Sequence, residues 1–335
     1  VENIVPQTQL LPWQDIPWQQ FLQRYQRRQL PHALLLHAAA GLGRLALAQH
    51  IAQFVLCEGV KQDKACDRCA SCRLFLAKSH PDYFLIQAEE NSDVIKIEAI
   101  RSLIEKLTQS TQLAGYRVII IDPADRMNIA AGNALLKTLE EPIDNTLIIL
   151  SSEYPERLPA TLRSRCQLLR IPLPSDTVAR HWLQQQDSSI DGDKWLALAG
   201  GAPLLAEKMG QDEELQTQYR HFIETLQQFQ REQDPLEAAA AWMSLDVFML
   251  CTWLAQFYMD LIRLSINASP EWIVHKEYST WLQQSSKLFP LSSLFIAYDK
   301  IIELHKLFVR QSNLNLQLQL EAKLIEIINI KLMKY

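Results

Sequence analysis

Four cysteines, Cys57, Cys66, Cys69 and Cys72, fall within sixteen residues as C-x8-C-x2-C-x2-C. A C-x2-C pair presents two sulfurs to one metal from a tight turn, and four thiolates complete a tetrahedral shell that suits Zn²⁺. Such a shell has no open coordination position, so its chemistry is structural rather than catalytic. Lys61, Lys64 and Arg68 lie between the ligands and Arg73 just beyond them, where they offset the negative charge of a tetrathiolate centre. The same cysteines could instead be inert buried thiols or hold a thioredoxin-like pair, but four ligands at this spacing favour the metal. His80 is surplus to a complete shell. Cys166 and Cys251 stand alone, as ordinary core thiols or thiols with a local functional context.

A second group of residues has the outline of phosphate chemistry without its working parts. A Walker A loop, G-x-x-x-x-G-K-[ST], cradles phosphates with backbone amides, reaches the β/γ oxygens with its Lys and ligates Mg²⁺ with its hydroxyl. Here the window is Ala38 to Leu45, AAAGLGRL, after a short apolar run and before a helical stretch. Gly41 and Gly43 remain, but Ala38 replaces the first Gly, Arg44 the Lys and Leu45 the hydroxyl residue. An Arg carries a larger planar fork and cannot act as a compact point charge, and Leu45 cannot ligate a cation. We read a turn retained for its shape rather than a working loop of unusual sequence. The matching Walker B strand, Val118 to Asp122, ends in an acid, but Pro123 follows where an active ATPase has a Glu that polarises water. Asp125 either replaces that Glu, if the backbone turns differently, or caps the loop before the next helix.

These groups need a parallel sheet to hold them. Apolar runs at 32–37, 83–86, 117–121 and 146–150 read as buried strands. Helical patterns at 16–29, 44–57, 96–110 and 128–141 alternate with them, which is the signature of βαβ units. Strand signals stop after Pro172 and Pro174. Short helices are expected over 175–209 around the turn Gly200-Gly201-Ala202-Pro203. From 211 to 335 the pattern is helical, with breaks near Asp234-Pro235, Ser269-Pro270 and Pro290.

The bulk properties agree. A chain of 335 residues with 48% hydrophobic content supports two or three domains with real cores. Nine glycines and long Leu/Gln/Ala/Glu tracts favour helix. A net charge of −5 argues against a protein whose main task is gripping a phosphate backbone. There is no run of 18 apolar residues, so no membrane span is expected. The opening VENIVPQTQLLPWQDIPW has neither the basic nor the apolar region of a secretion signal. The expected location is cytoplasmic, where cysteines serve as thiols or metal ligands rather than disulfides.

Three further segments carry a resemblance. Asn133–Pro142, NALLKTLEEP, resembles the helix after Walker B in clamp-loader ATPases. Leu162–Cys166, LRSRC, is similar to their Ser-Arg-Cys motif. His80–Tyr83, HPDY, after the cysteine cluster, resembles the bacterial gamma and delta-prime subunits of DNA polymerase III. The resemblance covers about residues 30–170. The degraded phosphate loop and Pro123 set the chain apart from the ATP-consuming gamma/tau branch and point to the delta-prime branch. The C-terminal region matches only in helical character.

The resemblance implies an α/β AAA+ domain over 1–172 with a zinc-binding insert at 57–72. It also implies a small helical lid at 173–209 and an all-α collar at 210–335. It implies a clamp-loader hetero-pentamer with gamma/tau and delta subunits, loading a sliding clamp onto primed DNA. Such a chain is part of the DNA-directed DNA polymerase holoenzyme, a nucleotidyltransferase, but no enzyme by itself. The Ser-Arg-Cys arginine, Arg165, would enter a neighbour's ATP site. The sensor-1 position falls near Ser152, and the lid turn at Gly200–Pro203 offers no sensing arginine. Taken alone, Arg165 beside Arg163 and Arg157 would read as a solvated side chain; with the motif it reads as an arginine finger acting in trans. Two rival readings are an autonomous ATPase with a divergent loop, which Lys and a hydroxyl at 44–45 would favour, and a zinc-module DNA-binding protein, which a basic charge would favour. Arg24, Arg27 and Arg28 read as a solvated helix face rather than a DNA patch.

Overall fold

The computed structural model describes residues 9–88, 94–107, 111–113, 115–310 and 314–332. The expected helical positions 108–110, the first eight residues and the last three lie outside them. The chain divides into two compact units, 1–174 and 175–335.

In the first unit the elements run α1 (Asp15–Gln26), β1 (Ala33–His37), α2 (Arg44–Leu56), α3 (Ala70–Leu76), β2 (Tyr83–Ile86), α4 (Ile97–Leu107), β3 (Arg117–Ile121), α5 (Ile129–Glu140), β4 (Thr146–Ser152), α6 (Ala160–Arg163) and β5 (Gln167–Arg170). The strands form one parallel sheet in the order β2-β3-β4-β1-β5. The central strands β3 and β4 are buried along their whole length, as continuous Val/Ile/Leu runs covered on both faces must be. Helices α4 and α5 pack on each other and on the sheet through residues at helical spacing, Ile100, Leu103 and Leu107 from one and Ala131, Leu135 and Leu139 from the other. On α1, Trp18 and Tyr25 meet Phe54 of α2 edge-on.

Three elements were not expected, one of them the single-turn α6. β5 pairs with β1 at the sheet edge, and only Leu169 of its four residues is buried. A half-exposed QLLR segment lacks the apolar run that marks a central strand. α3 lies inside the cysteine segment, where the ligand spacing masks the helix pattern.

Leu135 is fully buried in the core between α4, α5 and the sheet. Leu135→Ala is expected to cost about 2–5 kcal/mol by lost transfer energy and cavity formation, read as a lower urea midpoint at unchanged slope.

The second unit is helical: α7 (Asp176–Gln186), α8 (Gly192–Leu198), α9 (Pro203–Gln211), α10 (Glu213–Glu232), α11 (Pro235–Ala241), α12 (Val247–Ser265), α13 (Ser279–Ser286), α14 (Leu291–Arg310) and α15 (Leu316–Leu332). Asp212, Asp234 and Asp246 start α10, α11 and α12, each accepting two amide hydrogens of the first turn, the arrangement that makes Asp a strong N-cap. Gln256 of α12 donates to the carbonyls of Ala197 and Leu198 at the end of α8. Among the described residues α12 alone is long and apolar enough to cross a bilayer. It is instead a core helix, with Trp253, Leu254, Phe257 and Leu261 buried and packed against α13 and α14. Its buried Asp260 accepts the amides of Val274 and His275 and the His275 ring Nδ1–H.

Candidate functional site

The four clustered cysteines converge. Cys57 ends α2, Cys66 lies in the following loop, Cys69 caps the start of α3 and Cys72 sits within it. Their sulfurs all lie within 4.8 Å of one another. A tetrahedral ZnS₄ centre with bonds near 2.3 Å places sulfurs about 3.8 Å apart, so the residues fit that ion. Backbone amides point at the sulfurs: Cys66 N–H donates to Cys57 Sγ, Cys69 N–H to Cys66 Sγ and Cys72 N–H to Cys69 Sγ, each at 3.3 Å. The amides of Arg68 and Cys69 pull the Cys66 thiol down to about 6. Burial pushes Cys57 and Cys72 up. A divalent cation would hold all four as thiolates. The loop between Cys57 and Cys66 closes through a tight turn in which Lys61 and Lys64 exchange backbone hydrogen bonds. Gln62 and Asp63 at its tip take positive φ, and Asp63 accepts from Gln26.

The phosphate-loop window also lies where its motif belongs, between β1 and α2. Gly41 and Gly43 have φ of 74° and 75°, left-handed values that explain why these two glycines remain. Arg44, however, folds back over its own loop. Its Nη1 donates to the Ala38 carbonyl at 2.7 Å and lies 3.6 Å from the Glu153 carboxylate, with only 15% of the side chain exposed. From outside, Trp13 Nε1 donates to the Leu42 carbonyl and Gln14 Nε2 to those of Leu42 and Gly43. The guanidinium is thus bonded within its own chain. None of Trp13, Gln14 and Glu153 was marked by the motif, since all three lie outside it.

Asp122 follows β3, and burial raises its carboxyl above the ordinary range, against the opposing pull of Ser151 and Arg44. Asp125 accepts the Glu153 amide at 3.1 Å and lies 3.9 Å from Arg157. Asp125 thus ties the loop after β3 to the residue after β4, while α5 is capped by Asn128 rather than by Asp125. Ser152 is buried at the end of β4, in register with His37.

Arg165 emerges after α6 at the surface, 34% exposed. Its Nη1 donates to the Thr161 carbonyl at 2.8 Å and its Nη2 to Glu140 Oε1 at 2.6 Å. Glu140 ends α5, so the NALLKTLEEP and SRC segments are joined by one ion pair. The neighbouring Cys166 packs against the core, and burial lifts its thiol to about 12; Cys251, buried in α12, is raised to about 12 likewise. Both are core thiols.

Comparison with known proteins matches this arrangement to one family. Residues 13–175 match the family "DNA polymerase III, delta subunit", and residues 213–329 match "DNA polymerase III, delta subunit, C terminal". The chain is 32% identical to the DNA polymerase III subunit delta′ of Pseudomonas aeruginosa over 324 residues, 95% of this chain and 97% of that one. It is 33% identical to the subunit delta′ of Haemophilus influenzae over 258 residues, 76% of this chain and 78% of that one. A crystal structure of a DNA polymerase III gamma subunit-related protein from Thermotoga maritima aligns with a TM-score of 0.40 at 18% identity, covering 93% of this chain and 99% of that one. A relative this similar over nearly the whole of both chains, with family matches in both units, means that this chain belongs to the DNA polymerase III delta-prime subunit family.

Proposed function

We propose that the chain acts as a scaffold subunit of a clamp loader in the bacterial cytoplasm, with no working ATP site of its own, and lends Arg165 to the ATP site of a neighbouring subunit. The observation that carries this reading is the contrast between its two arginines. Arg44, in the phosphate loop, is bound by the Ala38 carbonyl and Glu153. Arg165 is held at the surface, 34% exposed, by the Thr161 carbonyl and the Glu140 carboxylate. A guanidinium at the exposed position can stabilise charge on a phosphoryl group bound by another chain; the one in the loop is 15% exposed and turned back on its own backbone. The loader would contain gamma/tau and delta subunits in a hetero-pentamer and act on the sliding clamp and primed DNA. In this reading 173–209 serves as the lid and 210–335 as the collar. Zn²⁺ would be held by Cys57, Cys66, Cys69 and Cys72 as a structural ion, which supplies folding energy to its segment.

Two measurements test the proposal. Mixed with gamma-type and delta-type subunits, the chain should enter a stable complex that loads clamp onto primed DNA; omission of the chain should abolish loading. Calorimetric titration of the isolated chain with ATP-Mg²⁺ should give a dissociation constant of about 1 mM or weaker, near −4 kcal/mol. Low-micromolar binding would instead favour an autonomous ATPase. Arg44→Lys should not restore binding, because Leu45 still offers no ligand to Mg²⁺ and Glu153 still faces the loop.

A further inference from the structure

Beside the cysteine cluster lies a hydrogen-bonded chain that neither the metal ligands nor the arginines use. Ser71, His80 and Asp82 are 1%, 6% and 1% exposed. The Asp82 amide donates to His80 Nδ1 at 3.1 Å. That bond makes Nδ1 an acceptor and leaves the ring proton on Nε2. Nε2–H then donates to Ser71 Oγ at 2.8 Å, and the Ser71 hydroxyl donates to the Leu56 carbonyl at 2.6 Å. Each group is used once, in one direction, so the ring orientation and tautomer are both determined.

The ends of this chain matter. Leu56 is the last residue of α2 and precedes Cys57. Ser71 lies in the first turn of α3, between Cys69 and Cys72. Asp82 belongs to the sheet side: its carbonyl accepts the Val118 amide, and its carboxylate accepts the amides of Gln112 and Leu113. The loop from 58 to 68 runs over the surface and is joined to α2 by the Gln53–Asp67 hydrogen bond at 2.8 Å. The relay ties α2 and α3 to the start of β2.

We propose that His80 and Ser71 form a positioning relay that sets the separation of Cys57 from the Cys69–Cys72 pair, and so governs how tightly and in what geometry the metal is held. The inference rests on the metal reading above. His80 is not a ligand; it acts through Ser71 on the two helix ends that carry the sulfurs. Groups of this kind outside the coordination shell change metal affinity by about 10- to 100-fold when removed.

The test uses the full chain purified with its metal, and compares wild type, Ser71→Ala, His80→Asn and the double variant. Asn can still accept the Asp82 amide but is too short to reach Ser71. Zn²⁺ affinity is measured by competition with a chromophoric chelator, and coordination geometry from the visible absorption of the Co²⁺-substituted protein. Each single variant is expected to weaken Zn²⁺ binding by about 10- to 100-fold and to shift the Co²⁺ bands. The double variant should be no weaker than the worse single, because both changes break one chain of bonds. Unchanged affinity and bands, even with a lowered melting temperature, would reduce the relay to core packing, and additive losses would show that the two residues act separately. Either result overturns the proposal while the metal centre stands. A wild-type chain that holds no metal would instead remove the metal reading, and the relay's role with it.

Discussion

Arg165→Ala is expected to leave the chain folded and assembled while cutting ATP turnover at one interface of the loader by on the order of 10³-fold. Folding should survive because the Arg165–Glu140 pair is exposed, with 34% and 49% of the two side chains in solvent, and exposed pairs contribute at most about 1 kcal/mol. The whole complex should lose less than the single site if other interfaces keep their own arginines; clamp loading should fall further than ATPase if the sites fire in order. Arg165→Lys should not rescue, because a point charge does not reproduce the planar fork that reaches both the Thr161 carbonyl and the Glu140 carboxylate. The measurement is DNA- and clamp-stimulated ATPase of complexes matched for assembly. Equal ATPase and equal clamp loading would make Arg165 a surface charge and the chain a passive wedge.

Removing one metal ligand should have the second large effect. Wild-type protein purified without added metal should carry one Zn²⁺ per chain by elemental analysis, and Cys69→Ser should lose it. This substitution is clean because Cys69 has two jobs. Its sulfur belongs to the cluster, and it caps α3 by accepting the Cys72 amide. Serine keeps the second job, being a strong N-cap, and loses the first. Metal binding contributes about 10–16 kcal/mol to the folding of zinc-finger peptides, so loss of the ion should unfold the segment from Cys57 through α3. The sheet should persist, because the core that joins α4 and α5 to it contains no residue of 57–72. Limited proteolysis should therefore cut Cys69→Ser within this segment and leave the remainder of the first unit intact. Zinc near zero in reduced, folded wild-type protein would sink the metal reading.

The parallel sheet was legible in the sequence because each central strand is an uninterrupted apolar run bounded by helical patterns, and β1, β2 and β3 fall within a residue of where those runs predict them. The start of α2 at Arg44 and of α5 at Ile129 was likewise local information, written in Gly43 and in Asn128, whose side chain accepts the Ala131 amide. The cysteine spacing and the lost Lys and hydroxyl at 44–45 belong to the same class: chemistry encoded by residue types a few positions apart.

Partnerships across the fold were not legible. Nothing near Arg44 identifies Glu153 as the carboxylate that faces it, because the parallel pairing of β1 with β4 is what brings the two loops together. Glu140 and Arg165 each sat in a recognised segment, yet their bond depends on how α5 and α6 meet. His80 could be set aside as a ligand by counting sulfurs, but its link to Ser71 and the end of α2 exists only once β2 is seated in the sheet. β5 escaped notice because an edge strand, exposed at three of its four residues to different degrees, needs its partner β1 to become a strand at all. Spacing along the chain determines which residues can cap, turn or ligate together. Which distant charge satisfies a buried or tethered arginine is decided by long-range packing, since a guanidinium bonds to whatever oxygen the fold delivers to it.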